Sequence, residues 1–312
     1  MTRTPASGAQ FELRAGGWHA VVASVGASLR ILRRNGRDLV APFGADELRP
    51  AMRGAVLAPW PNRTADGRYA FGGAVHQLPV DDLAAGNASH GLVAWTSFDV
   101  ARPDAASALL TTTIEPRPGY PWRVRVDVAF ALTDDGLRQD VTATNLSAAA
   151  APFGVGGHPY LLAGPASARA IGEWVLTVPA DRVLLTSPDR LLPTDLVDVA
   201  AFEDGAYDFR SPRRLGDSIL NHAFTGLARD ADGRTRVRLV DGAGVGAEVE
   251  LDESCPWVQL YTADELPGTD RRHAVAVEPM TCPPDALNSG IDLRTIPPGG
   301  STIASWSIKA IG

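Results

Sequence analysis

Cysteine is scarce in this 312-residue chain: Cys255 and Cys282 are the only two. Two thiols cannot staple a disulfide framework or complete a Cys-rich zinc site, so they read as ordinary reduced cysteines. Lysine is scarcer still. Lys309 is the only lysine among 29 basic residues. It stands within SIKAIG, in neither the Schiff-base nor the phosphate-loop setting where a lysine does chemistry, so those two mechanisms fall away. No basic run exceeds a few residues, and the formal net charge is −7. That argues against nucleic acid and an anionic membrane as partners, since both require a cationic face. The opening stretch MTRTPASGAQ lacks the apolar core of a signal peptide, and no apolar run is long enough to span a bilayer. The expectation is a cytoplasmic protein.

Helical periodicity is missing too. No apolar stripe of period 3.6 is sustained over three turns, and 31 glycines with 24 prolines disfavour long helices. What the chain has is alternation. From Arg123 to Leu132, Val124, Val126, Val128, Phe130 and Leu132 fall on one side and Arg123, Arg125 and Asp127 on the other. Shorter runs of the same kind start at Trp18, Leu137, Thr235, Gly246 and Ser301. Turn signals punctuate the chain: Asn35-Gly36, Asp66-Gly67, Gly72-Gly73, Asp135-Gly136 and Asp232-Gly233. The pattern predicts an all-β fold of antiparallel sheets packed face to face. With 45% hydrophobic residues the chain can bury a sizeable core, and without a repeat or a convincing boundary it reads as a single domain over 1–312. The Ala/Gly/Pro-rich stretch 148–170 contains GVGGHPYLL, whose aromatic and apolar residues suit a packed site better than a linker.

Two segments place a titratable side chain directly before proline. In Gly156-Gly157-His158-Pro159-Tyr160, Pro159 holds His158 extended, and the glycines allow close approach of backbone or ligand. An imidazole held this way is a plausible general acid near neutral pH; the segment fits equally a histidine that caps a turn or is satisfied in the core. In HAVAVEPMTCPPDALNSG, the apolar run Ala274–Val277 delivers Glu278 at its end. Burial there would raise the carboxyl pKa, as a general base needs, while the alternative is a structural glutamate bonded to turn amides. Asn62 and Arg63, after Ala58-Pro59-Trp60-Pro61, offer a donor–acceptor set suited to paired hydroxyls. His90 in NASHG, Gln259 in WVQLYT, and Asn221 with His222 in LNHAFTG are weaker signals taken singly.

Taken together, these segments resemble the aldose 1-epimerase family, the galactose-mutarotase superfamily. The likeness lies in the order and context of APWPNR, the Tyr69-to-Gly73 hairpin, SHG, APFGVGGHPY, LNHAFTG, VQLYT and AVEPMTCPPDALNSG, from about residue 55 to 290. The resemblance implies an antiparallel β-supersandwich and catalysis without metal or cofactor. It implies His158 as the catalytic acid and Glu278 as the base, with Asn62, Arg63, His90, Asn221 and Gln259 binding the sugar. Where the family usually carries Asp before His in an LDHxF motif, this chain has Asn221. That keeps size and an acceptor but replaces a charge-assisted hydrogen bond with a neutral one. Trp60, Tyr160 and Trp257 are candidates to stack on a sugar, each also readable as a core aromatic.

The expected activity is interconversion of the α and β anomers of a free aldose, by a monomer or homodimer whose partner is a small-molecule sugar. A glycoside hydrolase would normally need a second carboxylate in convincing context. A metal site of His90, His158 and Glu278 has no ligand spacing to support it. A non-catalytic carbohydrate-binding protein would be expected to have lost His158 or Glu278. An epimerase of a phosphorylated or sulfonated hexose would need clustered cations, for which Arg271-Arg272 and Arg213-Arg214 are candidates.

Overall fold

A computed structural model gives the fold; it describes residues 3–101 and 104–312. Alternation decides where strands form. In Val124–Thr133 the five apolar residues of the predicted stripe are buried, whereas Arg125 is exposed and Asp127 only partly covered. Hairpins close where the turn chemistry predicts. Asn35-Gly36 joins the paired residues Arg34 and Arg37, and Gly72-Gly73 joins Phe71 and Ala74, with all four turn residues at positive φ. One turn is shifted by a residue: Thr133 pairs with Gly136, so Asp134-Asp135 form the loop and Gly136 opens the next strand.

Two large antiparallel sheets dominate. The nine-stranded sheet runs from Asp99–Ala101 through Ser107–Ile114, Val124–Thr133, Gly136–Asn145, Ser301–Ile311, Gly246–Leu251, Thr235–Val240 and Val175–Thr177 to Arg213–Arg214. The eight-stranded sheet includes, as neighbours, Ala180–Thr186, Asn221–Leu227, Trp257–Tyr261 and Val275–Met280; the last also pairs with Gly156–Gly157 and Tyr160–Leu161. A four-stranded sheet begins at Gln10–Ala15. The sole α-helix among the described residues is Ala286–Ser289, and no helix is long and apolar enough to cross a membrane.

The main core fills the space between the large sheets, drawing Val126, Phe130 and Trp306 from one and Leu260, Val275 and Val277 from the other. The stretch 151–163 is continuously buried, so its Ala/Gly/Pro richness reflects packing and not a linker. A Cβ on Gly157 would lie 2.6 Å from Cζ2 of the buried Trp306 indole. That contact makes glycine necessary where the two sheets meet.

Candidate active site

Strand register builds the site. Directly paired residues share a sheet face, and so do residues two apart on one strand. Gln259 pairs with Glu278, Tyr261 with Ala276, Asn221 with Tyr261, and Tyr160 with Ala276. Asn221, Gln259, Tyr261, Glu278 and Tyr160 therefore project from one face of the eight-stranded sheet, with extended His158 joining Tyr160. The intervening Val258, Leu260, Val275 and Val277 point the other way, into the main core. Loops complete the wall. Arg63 pairs with Ser89 on short neighbouring strands, and the His90 N–H donates to the Asn62 carbonyl at 2.7 Å. Gly91 is required where it stands, because a Cβ there would lie 2.2 Å from the Ala58 carbonyl oxygen.

The result is a pocket of about 170 Å³ lined by all seven sequence candidates, Asn62, Arg63, His90, His158, Asn221, Gln259 and Glu278. His158 Nε2 lies 3.4 Å from Glu278 Oε1, and both side chains are buried. The imidazole stacks on Tyr160, with centroids 5.2 Å apart and planes within 10°, and meets the His90 ring edge-on at 5.4 Å. Its backbone is fixed on both sides: the His158 N–H donates to Ala55 and its carbonyl accepts from Gly54. Arg63 Nε donates to Asp82 Oδ2 at 3.1 Å, and Nε2 of Gln259 donates to Asn221 Oδ1 at 3.0 Å. Four buried polar atoms of the pocket have no partner within the protein: His90 Nδ1, His158 Nδ1, Gln259 Oε1 and Glu278 Oε2. Buried polar atoms are normally satisfied, so these are what a polar ligand would engage.

Burial also sets the protonation. It pushes Glu278 up to about 8, with Arg63 acting against the rise. It holds His158 well below the ordinary imidazole value, aided by His90 and the cations Arg49 and Arg63. His90 falls to about 3 through burial and the Arg63 charge. The backbone is strained in the same place: Ala51, Met52, Asn62 and His90 all line the pocket with positive φ. Non-glycine residues hold such angles only where surrounding structure imposes them, commonly at functional sites.

Some candidates lie elsewhere. Trp60 belongs to the main core. Trp257 packs beside Met280 and donates Nε1 to Asp292. Of the three aromatic candidates only Tyr160 reaches the pocket, and its ring backs onto His158. His222 packs on the Tyr207 ring at 4.8 Å, outside the pocket lining. The arginine pairs form no anion site there. Arg272 is spent on Asp264 and the carbonyls of Gly216 and Ser218, Arg213 on carbonyls of its own loop, and Arg214 on Glu173. Sequence reasoning missed Ala51, Met52, Tyr261 and Glu265 in the wall, and Asp82 behind Arg63. Tyr261 was detectable, standing two residues beyond Gln259 on a strand; Asp82 carried no signal.

Comparison with known proteins finds relatives over nearly the whole chain. The sequence profile of the family described as aldose 1-epimerase matches residues 9–309. The chain is similar to the uncharacterized protein YihR of Escherichia coli, 34% identical over 300 residues that cover 96% of this chain and 92% of that one. It is similar to the galactose mutarotase of Mus musculus, 27% identical over 305 residues covering 92% and 84%. Among solved structures, an aldose epimerase homologue from C. elegans superposes with a TM-score of 0.84 at 20% identity, covering 97% and 98% of the two chains. With the profile spanning nearly the whole sequence and the β-supersandwich shared, the chain belongs to the aldose 1-epimerase family.

Proposed function

We propose that the protein interconverts the α and β anomers of a free aldose, with Glu278 as general base and His158 as general acid. The observation that carries this reading is the 3.4 Å approach of His158 Nε2 to Glu278 Oε1 in a pocket where four buried polar atoms lack protein partners. Ring opening requires the C1 hydroxyl to lose a proton while the ring oxygen gains one. Glu278 takes the first and His158 supplies the second, leaving a protonated carboxyl, a neutral imidazole and an open-chain aldehyde. Rotation about C1–C2 then presents the other face, and reclosure runs both transfers backwards. Every group returns to its starting state, so the reaction balances without an external proton or electron acceptor.

The protonation of the free pocket bears on this cycle. The pair carries one proton, and burial favours keeping it on Glu278 beside a neutral imidazole. That is the arrangement the pair reaches after ring opening. A cyclic sugar needs the proton on His158 instead, a transfer across the short Nε2–Oε1 gap, and the Arg63 charge favours the resulting carboxylate. Positioned acid and base each contribute about 10²–10⁴-fold, and Asn62, Arg63, His90, Asn221 and Gln259 orient the ring. Arg63 is the only arginine or lysine in the pocket wall among the described residues, and Asp82 already pairs it. This favours an uncharged aldose over a phosphorylated or sulfonated one.

Anomer interconversion followed by polarimetry or NMR, across free and anionic aldoses, tests the reading. His158→Ala and Glu278→Ala are expected to abolish catalysis with the fold intact by circular dichroism. A folded variant of either kind that keeps the wild-type rate overturns the role assignment.

A further inference from the structure

One wall of the pocket carries a carboxyl group that the acid–base pair does not use. Glu265 lines the cavity together with Tyr261 and Asn221. The loop bearing it is tied to the strand bearing Asn221. Thr262 N–H donates to the Leu220 carbonyl at 3.0 Å, and Leu220 N–H donates to Thr262 Oγ1 at 2.9 Å. Arg272 then joins Asp264, at 2.7 Å, to the carbonyls of Gly216 and Ser218. Glu265, itself exposed, is thus presented to the pocket from an anchored loop.

The need for an acceptor here follows from the neighbours. Asn221 Oδ1 already accepts from Gln259 Nε2, so what the Asn221 side chain adds most readily is an N–H donor. Arg63 is donor-only as well. A sugar hydroxyl that accepts from this wall still has its own proton to place; Gln259 Oε1 is one acceptor without a protein partner, and the Glu265 carboxylate is a second, charged and therefore stronger one. The Glu265 carboxylate acts on the Tyr261 phenol, which burial pushes up to about 12 with that charge adding to the rise.

We propose that Glu265 is a specificity-determining residue, accepting a hydrogen bond from an aldose hydroxyl on the Asn221 side of the pocket and selecting neutral aldoses over those with an anionic substituent there. The inference rests on the aldose reading above.

Anomer interconversion of galactose, glucose and galacturonate is measured for wild type, Glu265→Gln and the double variant Glu265→Gln with Asn221→Asp. Glu265→Gln is expected to raise KM for the neutral sugars about tenfold, as expected for one lost charge-assisted hydrogen bond. The loss falls on KM more than on kcat, and the preference for galactose over galacturonate shrinks by a similar factor. The double variant returns a carboxylate to the same wall and is expected to recover most of the galactose KM. Unchanged KM for both neutral sugars in Glu265→Gln overturns the proposal, as does a double variant no better than the single one. Galactose affinity from saturation-transfer NMR separates the two readings. Wild-type protein that binds galactose yet leaves its anomers unmixed ends the mutarotase reading, while the Kd ratio of wild type to Glu265→Gln still decides the role of Glu265.

Discussion

In the proposed mechanism two side chains hold the chemistry, and their protonation is a matter of burial. Glu278 sits opposite Gln259 on a strand buried along its whole length, so its charged form is costly and its pKa rises to about 8. His158 is lowered by the same desolvation. The coupled pair keeps a single proton between these limits, and only that state contains both an acid and a base. With kcat/KM reporting the free enzyme, the profile is expected to be flat through neutrality. It should fall above about pH 8, where the remaining proton leaves Glu278, and again well below the ordinary imidazole value of 6.5, where a second proton reaches His158. Initial rates across a pH series check this, and an alkaline limb at the ordinary glutamate value would contradict the assignment. At this scale the sequence was informative: X-Pro context and a buried strand end singled out both groups. It gave no hint of Asp82 or Glu265, whose loops are unremarkable until folded.

At the level of elements, the site depends on how strands and turns meet. Gly157 admits the Trp306 indole from the opposing sheet, and the next residue is His158. Gly157→Ala must displace that ring or the strand, so a destabilisation of about 1–3 kcal/mol is expected. Urea unfolding measures it, together with a loss of activity larger than the fold change in the folded population. An unperturbed variant would show that the sheets have slack at this point. The turn Pro50–Met52 makes a related demand: Ala51 and Met52 both adopt positive φ in the pocket wall. Arg49 beneath it donates to Ser28 Oγ, and Arg53 pairs with Asp270 at 3.0 Å. No residue in that turn advertises its role, since neither alanine nor methionine prefers such angles. Only the packing imposes them.

For the molecule as a whole, histidine burial governs acid stability. Five of the six histidines, His19, His90, His158, His222 and His273, are lowered in the fold, each chiefly by desolvation. Below the ordinary value of 6.5 the unfolded chain binds protons that the fold refuses, so stability falls as pH falls. Glu278 works in the opposite sense: its contribution is present below 4.5 and lost as pH rises through about 8. The histidines outnumber it, so the thermal midpoint is expected to drop steadily on acidification below about 6.5. Calorimetry across that range tests it; a midpoint that rises on acidification would show the histidines to be solvated.

By itself the sequence determined the fold class, because period-two alternation and turn chemistry are local properties that survive without tertiary context. It also named seven polar residues of the pocket: proline context and a buried strand end singled out His158 and Glu278, and the family resemblance supplied Asn62, Arg63, His90, Asn221 and Gln259. What only the tertiary structure decided is their convergence. Residues 62, 90, 158, 221, 259 and 278 share a cavity because strand register places their side chains on one sheet face or against it. Register is fixed by long-range pairing, to which no short window of sequence has access. The same holds for Trp60 and Trp257, whose aromatic character was visible but whose packing into apolar clusters outside the pocket lining was settled by their neighbours.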